Sequence, residues 1–320
     1  MNGMKGINGM KRIIVCVFIS LALMLSGFYM PLLGVMGMLL CPLPLAVLGC
    51  LEGHKRMSIA ELMIEATLFL VISPSMAVYF LIGCAPVSAF IFMLSREEFK
   101  NAKKYSGAES LLLCTGISLA MKVVLMLVFW FFTGHNMLFH DSAQMNRIMT
   151  QMYGDNPELL GALNHVLSVL PYMLPTFTVI YSSAEAYLNY ALCNSIMRKH
   201  FPESKNFPPE LPAFINWKFP LSLLFASVFS LILGYFIDFD TWFAGSMFVL
   251  NLQIVLNVFM FIQGLSFAFW LMHGFKFRRF TKAIMCIVFM IPFFWAWLIV
   301  MGMCDMALNL RDKIKFGKSE

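Results

Sequence analysis

The sequence predicts an all-α fold, a polytopic transmembrane helix bundle with 8–9 spans. Hydrophobic residues make up 60% of the 320 residues and charged residues only 12%, whereas about a quarter of the residues of a soluble domain are charged. The mean hydropathy is +0.78. Apolar runs of about 20 residues, the length that a helix needs to cross the hydrocarbon core, recur along the whole chain. The runs do not alternate in polarity, which argues against a closed β-barrel.

Nine apolar segments are candidate membrane spans. They lie at residues 13–30, 32–51, 58–73, 75–95, 110–133, 165–196, 219–237, 243–272 and 282–303. Two of them are the weakest candidates: 58–73 carries two glutamates, and 32–51 is interrupted by two prolines. If one of these segments does not cross the bilayer, eight spans remain.

The distribution of basic residues predicts the orientation. Seventeen of the 23 Lys and Arg residues lie in five polar segments, at residues 1–12, 52–58, 95–106, 195–218 and 274–282. The alternate loops near residues 31, 74 and 238–240 contain none. Because cytoplasmic loops are enriched in Lys and Arg, the N-terminus and the basic loops are predicted to be cytoplasmic. Orientation in a membrane thus explains the net charge of +6, which does not indicate a nucleic-acid partner.

We expect a single integral membrane domain over residues 1–320. It is organised as N-terminal helices in 1–194 with an outer loop at 134–164, a cytoplasmic loop at 195–220, and C-terminal helices with a short tail in 221–320. The loop at 195–220 holds four basic residues and five prolines. Proline in a helix interior removes a hydrogen bond and clashes with the preceding turn, so this loop cannot be one continuous helix.

A pair of opposite charges lies deep within two predicted spans. Lys122 is near the centre of 110–133, and Glu185 is in the middle of 165–196. Because an unpaired charge at this depth is unfavourable by at least a few kcal/mol, we expect the two side chains to meet on facing helices. Tyr181, Glu185 and Asn189 recur every four residues, with Ser182 beside them, and therefore form one polar stripe on their helix.

Three further polar residues are candidates for an intramembrane site. Glu65 is the alternative acidic partner for Lys122, and Gln253 with Asn257 forms a polar face in 243–272. Two interpretations of all these side chains remain open. They line a pocket for a substrate or ion, or they form interhelical hydrogen bonds of about 0.6–2 kcal/mol each that stabilise helix packing.

The motifs of common enzymes and metal sites are absent from the sequence. The eight cysteines include no C-x-x-C pair, and the six histidines include no H-E-x-x-H. There is no phosphate-binding G-x-x-x-x-G-K-[ST] motif and no G-x-S-x-G nucleophile motif. We therefore predict no catalytic residues, no metal site and no cofactor, and we expect that the protein is not an enzyme.

Four stretches of the sequence together resemble one known family. They are CPLPLAVLGCLEGHKRM at 41–57, LPAFINWKFP at 211–220, IQGLSFAFWLM at 262–272 and GMCDMALNLRDKI at 302–314. The chain resembles the YybS-like family of predicted bacterial multi-pass membrane proteins, a domain of unknown function. The resemblance implies a place in the bacterial cytoplasmic membrane and a remote similarity to the substrate-binding components of energy-coupling-factor vitamin transporters. It supplies no catalytic residues.

Two functional hypotheses follow. The first is a transporter-like membrane component that binds a small-molecule substrate, has no ATPase of its own, and depends on an energising partner or an ion gradient. The second is a non-transporting scaffold in the lipid bilayer that docks a cytoplasmic, cell-division or sporulation partner on the basic loops. A polar cavity at mid-depth would favour the first, and a dry bundle with every polar group paired would favour the second.

Overall fold

The computed structural model describes residues 2–97, 99, 105–133, 161, 170–204, 206–237, 243–289 and 291–314. Within these residues every regular element is a helix and there is no strand, so the predicted all-α fold is confirmed. The chain divides into two compact units. Unit 1 comprises Met1–Pro171 and Phe177–Leu211, and unit 2 comprises Tyr172–Thr176 and Pro212–Glu320. The predicted outer loop at 134–164 lies, except for Gly161, outside the described residues.

Unit 1 contains a compact group of helices. In chain order they are α1 (Asn2–Tyr29), α2 (Pro31–Leu40), α3 (Leu43–Glu52), α4 (His54–Thr67), α5 (Pro74–Val78), α6 (Ala85–Ser95), α7 (Gly107–Thr133) and α8 (Leu174–His200). The first three residues of α8 belong to unit 2. Two segments of π-helix, Leu68–Ile72 and Tyr79–Cys84, follow α4 and α5. Fully buried Ile64, Leu68 and Phe80 contribute to the apolar core of this unit.

Proline, glycine and a capping serine separate the short helices of unit 1. Pro42 precedes α3, and Gly53 joins α3 to α4 with a positive φ of 83°, a conformation that glycine adopts without a steric penalty. Ser73 begins α5, where its hydroxyl accepts a hydrogen bond from the Met76 amide, and Pro74 occupies the first helical position. Local sequence therefore explains where these helices start and stop.

The basic loop begins later than the sequence analysis predicted. Helix α8 continues through residue 195 and ends only at His200, so the loop starts at Phe201 and not at 195. The residues in between include neither proline nor glycine, and the first proline is Pro202. Basic residues in the last turn also interact favourably with the helix dipole. These two effects extend the helix beyond the end of the apolar pattern.

Unit 2 contains the remaining helices. They are α9 (Leu221–Phe236), α10 (Phe243–Gly274), α11 (Arg279–Phe289), α12 (Trp295–Leu308) and α13 (Leu310–Lys313). Single 3₁₀ turns occur at Phe214–Asn216 and Pro292–Phe294, and a further one, Leu170–Met173, begins in unit 1 and ends in unit 2. The principal contact is between α10 and α12. There Gly264 and Gly302 lie at the point of closest approach, where small residues allow two membrane helices to pack backbone against backbone.

Five described segments are long and apolar enough to cross a membrane. They are Gly9–Gly27, Gly34–Glu52, Pro74–Ser95, Gly107–Phe132 and Ala244–Gly274. Each overlaps one of the nine predicted spans. Phe280–Phe289 and Pro292–Leu308 together would form a sixth, but they are bent by 88° at the break between them.

The other predicted spans do not meet these criteria of length and hydropathy, for reasons that differ. Segment 58–73 carries its two glutamates in α4, and the helix within 165–196 carries the polar stripe. Segment 219–237 forms a helix of only 16 residues. The described residues therefore support five spans, or six with the bent pair.

The close packing of α10 on α12 gives a test of the fold. A Cβ atom on Gly264 would meet the carbonyl oxygen of Leu298, so Gly264→Ala must push the helices apart. We expect a loss of about 1–3 kcal/mol, measured as a lower thermal midpoint of the purified protein in detergent. Gly116→Ala in α7 is the matched control, because a Cβ there meets nothing within 4 Å and should not destabilise the protein. Equal midpoints for Gly264→Ala and the parent protein would contradict the contact.

Candidate functional site

The two deep charges of the sequence form an ion pair in unit 1. Lys122 on α7 donates a hydrogen bond from Nζ to Oε1 of Glu185 on α8, over 3.1 Å. Glu185 is completely buried, and Lys122 is 6% exposed. The predicted pairing of these two residues on facing helices is confirmed. Glu65 is not the acidic partner of Lys122.

Further hydrogen bonds stabilise both charges. Ser118, one turn before Lys122 on α7, donates from Oγ to the second carboxylate oxygen of Glu185 over 2.5 Å. Lys122 Nζ also donates to the carbonyl oxygen of Gly83 over 2.7 Å. Gly83 lies in the second π-helical segment, Tyr79–Cys84, where the regular hydrogen-bond pattern of an α-helix is interrupted. Such additional partners offset the high free energy of removing two ions from water.

Two tyrosines surround the ammonium group. The ring centroids of Tyr79 and Tyr181 both lie 5.4 Å from Lys122 Nζ, a distance at which the aromatic faces attract a cation. Their hydroxyl oxygens are 3.3 Å apart and share a hydrogen bond. The result is a polar group of two charges and two phenols that bridges three segments of unit 1.

This polar group borders a cavity of about 580 Å³. Lys122, Tyr79 and Tyr181 contribute to its lining, with Ser75 and Thr178 as further polar residues. The apolar part of the lining consists of Met38, Met76, Leu125, Met126, Phe129 and Phe177. The cavity therefore combines mostly apolar walls with a few polar groups at one place.

The cavity lies toward one end of unit 1. Its lining includes Ser75 near the start of α5, Phe129 near the end of α7 and Phe177 near the start of α8. The opposite end of α8 is basic, with Arg198, Lys199 and His200 in its last turn. The ion pair is on the side of the cavity nearer to that basic end.

Asn189 and Ser182, the other residues of the predicted stripe, are also buried on α8. Asn189 donates from Nδ2 to the carbonyl oxygens of Leu39 and Glu185, each over 2.7 Å. Its Oδ1 atom and the Ser182 hydroxyl have no hydrogen-bond partner among the described residues. Asn189 thus connects α8 to the end of α2 beside the ion pair.

The remaining predicted residues do not join this group. Glu65 contributes to a different cavity, of about 460 Å³, which contains neither Lys122 nor Glu185. Gln253 and Asn257 are half-buried on α10 in unit 2. Sequence analysis missed Ser118, although its spacing of four residues from Lys122 indicated a shared helix face. The contact to Gly83 could not be predicted from the sequence, because it uses the backbone carbonyl, a group that every residue has.

A second buried polar group lies in unit 2. Arg311 donates from Nε to Asp305 Oδ2 over 2.9 Å, and Gln263 Nε2 donates to the same oxygen over 2.6 Å. The Oδ1 atom of Asp305 has no hydrogen-bond partner among the described residues. Asp305 is 3% exposed and Arg311 is 7% exposed, so this ion pair is as deeply buried as the one in unit 1.

The second polar group holds the segment 214–219. Arg311 donates to the Ile215 carbonyl over 2.6 Å, and Ser266 donates to the Phe214 carbonyl over 2.7 Å. Gln263 accepts from the Phe219 amide over 3.0 Å. Three of the four stretches that carried the family resemblance therefore meet here, and their polar residues clamp a backbone segment that contains one 3₁₀ turn and no α-helix.

Metal binding has no support in the part of the chain that the structure describes. No group of three or more His, Cys, Asp or Glu side chains there is arranged to hold a metal ion. The absence of a metal or cofactor stays a prediction for the whole chain. The two polar groups can offer hydrogen bonds and charge, and the one in unit 1 borders a cavity.

The chain is similar to a family of predicted membrane proteins. Residues 18–306 match a family model described as "Predicted membrane protein (DUF2232)". A curated relative from Bacillus subtilis (strain 168), described as "Uncharacterized protein YybS", is 24% identical over 303 residues, which are 90% of this chain and 92% of the relative. No solved structure matches the chain. The matched range includes Lys122, Glu185 and Asp305.

The buried ion pair gives a double-mutant test. Lys122→Met or Glu185→Gln alone should destabilise the protein by about 3–5 kcal/mol, because each leaves an unpaired buried group. The double variant should be milder than the sum of the two, with a coupling of about 0.5–3 kcal/mol in thermal or denaturant unfolding in detergent.

The exposed pair of Lys218 and Asp312 is the matched control. Its Nζ–Oδ1 distance is also 3.1 Å, but its side chains are 47% and 68% exposed. Lys218→Met and Asp312→Asn should therefore combine almost additively, with single effects below about 1 kcal/mol. Strict additivity at Lys122 and Glu185 would show that the buried pair does not stabilise the fold.

Proposed function

The chain belongs to the DUF2232 family of predicted membrane proteins, and from this premise we propose that it is a transporter-like component that binds a small molecule in the cavity beside Lys122. The resemblance to YybS-like proteins is confirmed by the match to the Bacillus subtilis relative. The description of that relative states no activity, so the proposal rests on the cavity and its polar group.

Size and lining support a ligand site. Binding sites for small molecules occupy about 300–1,000 Å³ and combine apolar walls with a few polar groups, and the volume of about 580 Å³ falls within this range. Lys122 is near the middle of the candidate span Gly107–Phe132, where ionisable groups are rare and are concentrated in substrate and ion pathways. The combination of a deep ion pair with an adjacent cavity is the observation that carries the proposal.

The scaffold hypothesis predicts a different interior. A protein that only docks partners on its basic loops requires no cavity at the depth of the ion pair. The tyrosine hydroxyls and the ammonium group of Lys122 would then be enclosed by packing residues, and not line a space of this size. We therefore favour substrate binding over a scaffold function.

The lining indicates the chemistry of the ligand. Lys122 and Glu185 neutralise each other, so the site attracts no strong net charge. Two of the three N–H donors of Lys122 already have acceptors, which leaves one donor, together with the tyrosine hydroxyls, for a ligand. The apolar walls complement a hydrocarbon or aromatic body. We infer a compact amphipathic molecule with a hydrogen-bond acceptor at one end.

Binding, and not chemistry or ATP hydrolysis, is the proposed activity. The sequence has no phosphate-binding motif, so active transport would depend on a separate energising protein or on an ion gradient. The similarity to substrate-binding components of energy-coupling-factor transporters, which the family resemblance implied, is part of this proposal.

We also propose a membrane topology with 8–9 spans and a cytoplasmic N-terminus in the bacterial cytoplasmic membrane. Helix α8 has 27 residues and is therefore about 40 Å long, enough to cross the bilayer despite its polar stripe. Glu185 and Asn189 of that stripe form buried hydrogen bonds with α7 and α2, so these polar side chains do not face lipid. In this orientation the cavity beside Lys122 lies in the outer half of unit 1.

A cavity-filling variant tests ligand binding. Met126 lines the cavity, whereas the next residue, Leu127, is 55% exposed and lies outside it. Protein purified from native membranes in mild detergent should retain a small molecule detectable by native mass spectrometry. Met126→Trp should lower its occupancy at least about fivefold, because the added ring competes for the same volume.

Leu127→Trp is the matched control and should retain the molecule at the parent level. Thermal midpoints must be similar in both variants, so that loss of ligand is separated from loss of fold. Absence of any co-purifying small molecule from the parent protein, or equal occupancy in Met126→Trp, would favour the scaffold hypothesis instead.

Cysteine labelling tests the topology. With the exposed Cys304 replaced by serine, Ser204→Cys in the basic loop should resist a membrane-impermeant maleimide in intact cells and react after permeabilisation. Ser75→Cys, at the cavity end of unit 1, should react in intact cells. Reaction of Ser204→Cys from outside would reverse the proposed orientation.

A further inference from the structure

Unit 1 also contains an apolar groove that is separate from the Lys122 cavity. It has a volume of about 430 Å³ and runs between α1 and α3, with Ile196 of α8 and Phe201 at one end. None of the residues around the Lys122 cavity contributes to it. Its function can therefore be considered independently of the proposed transport activity.

The walls of the groove are apolar and regularly spaced. Val15 and Ile19 on α1, and Leu43, Val47 and Leu51 on α3, each follow one another at intervals of four residues. Residues four apart lie on one face of a helix, so the two rows form walls of about 6 Å on α1 and about 12 Å on α3. Val15 is 56% exposed and Ile19 is 43% exposed, which leaves the groove open along its length.

Positive charge is concentrated at one end of the groove. Lys11 and Arg12 line it there, and the Arg12 guanidinium lies 5.7 Å from the ring centroid of Phe201. Arg12 donates to Glu52 over 2.7 Å, and Arg56 donates to the other oxygen of the same carboxylate. Lys11, Arg12 and Arg56 thus bring three positive charges to this end of unit 1 against the single carboxylate of Glu52, which binds only Arg12 and Arg56.

We propose that this groove binds an anionic phospholipid. One acyl chain occupies the apolar groove between α1 and α3, and the phosphate lies against Lys11 and Arg12. Charge complementarity specifies the head of the ligand, since basic residues next to a membrane segment attract anionic lipids. The open apolar walls specify its tail, because inorganic phosphate or a soluble phosphoester would leave Val15 and Ile19 uncovered. The position of the cations at the predicted cytoplasmic end places the lipid in the cytoplasmic leaflet.

Native mass spectrometry of the full chain in detergent tests this proposal with two probes that differ only in headgroup. They are phosphatidylglycerol and phosphatidylcholine with identical acyl chains. The parent protein should retain phosphatidylglycerol in preference to phosphatidylcholine. Lys11→Gln should weaken phosphatidylglycerol binding about fivefold and leave phosphatidylcholine binding unchanged, as expected for the loss of one basic residue near a lipid headgroup.

Lys55→Gln is the matched charge control. It removes the same charge from an exposed residue of α4 at the same end of unit 1, but Lys55 does not line the groove. It should therefore leave the lipid preference intact. Equal retention of both lipids by the parent, or equal effects of Lys11→Gln and Lys55→Gln, would overturn the proposal.

A second pair of variants tests the acyl chain. Val15→Trp fills the groove and should lower retention of both lipids, whereas Phe18→Trp, on the same helix outside the groove, should not. Excess glycerol phosphate added to the phosphatidylglycerol complex supplies the headgroup without a chain. Displacement of the lipid by glycerol phosphate, or full retention in Val15→Trp, would indicate a phosphate site without a lipid tail and would contradict the proposal.

Discussion

The buried ion pair of Lys122 and Glu185 is the interaction on which the interior of unit 1 depends. Two ions removed from water are stable only when each has a close partner of opposite charge and further hydrogen bonds. That requirement determines the separation of α7 and α8, and it recruits Ser118 and the carbonyl of Gly83. The π-helical turn at Gly83 and the position of Tyr79 are thus linked to the same pair of charges. The wall of the cavity follows from this arrangement.

Unit 2 also contains a buried ion pair with further hydrogen bonds, Asp305 and Arg311, but its role is different. There Arg311 Nη1 and the hydroxyl of Ser266 bind backbone carbonyls of the segment 214–219, and Arg311 Nη2 binds Ser266. The donors of that group are directed at the chain itself. In unit 1, by contrast, an ammonium donor and two phenol hydroxyls line a cavity of about 580 Å³. This contrast is the physical basis for proposing a ligand site in one unit and a structural clamp in the other.

Much of the helical architecture could be predicted because hydrophobic runs and helical spacing are local properties of the sequence. They located five spans and placed Lys122 opposite Glu185, since a charge in a long apolar run requires a partner. The clamp was not predictable, although its stretches were recognised as distinctive, because its acceptors are backbone carbonyls. Gln253 and Asn257 had the residue types expected of such a group, but Gln263, two to three turns away on α10, makes the contacts. Side-chain type alone does not distinguish these positions.

The clamp in unit 2 also has a consequence for the order of assembly. Ile215 and Arg311, which it joins, are separated by 96 residues. At about 5–20 residues per second, the ribosome reaches Arg311 about 5–20 s after Ile215. During that interval the Ile215 carbonyl lacks its Arg311 donor and requires water, which is available at the membrane surface and not in hydrocarbon. The Ile215 carbonyl must therefore stay in contact with water until Arg311 has been synthesised, and the clamp is completed only after both α10 and α12.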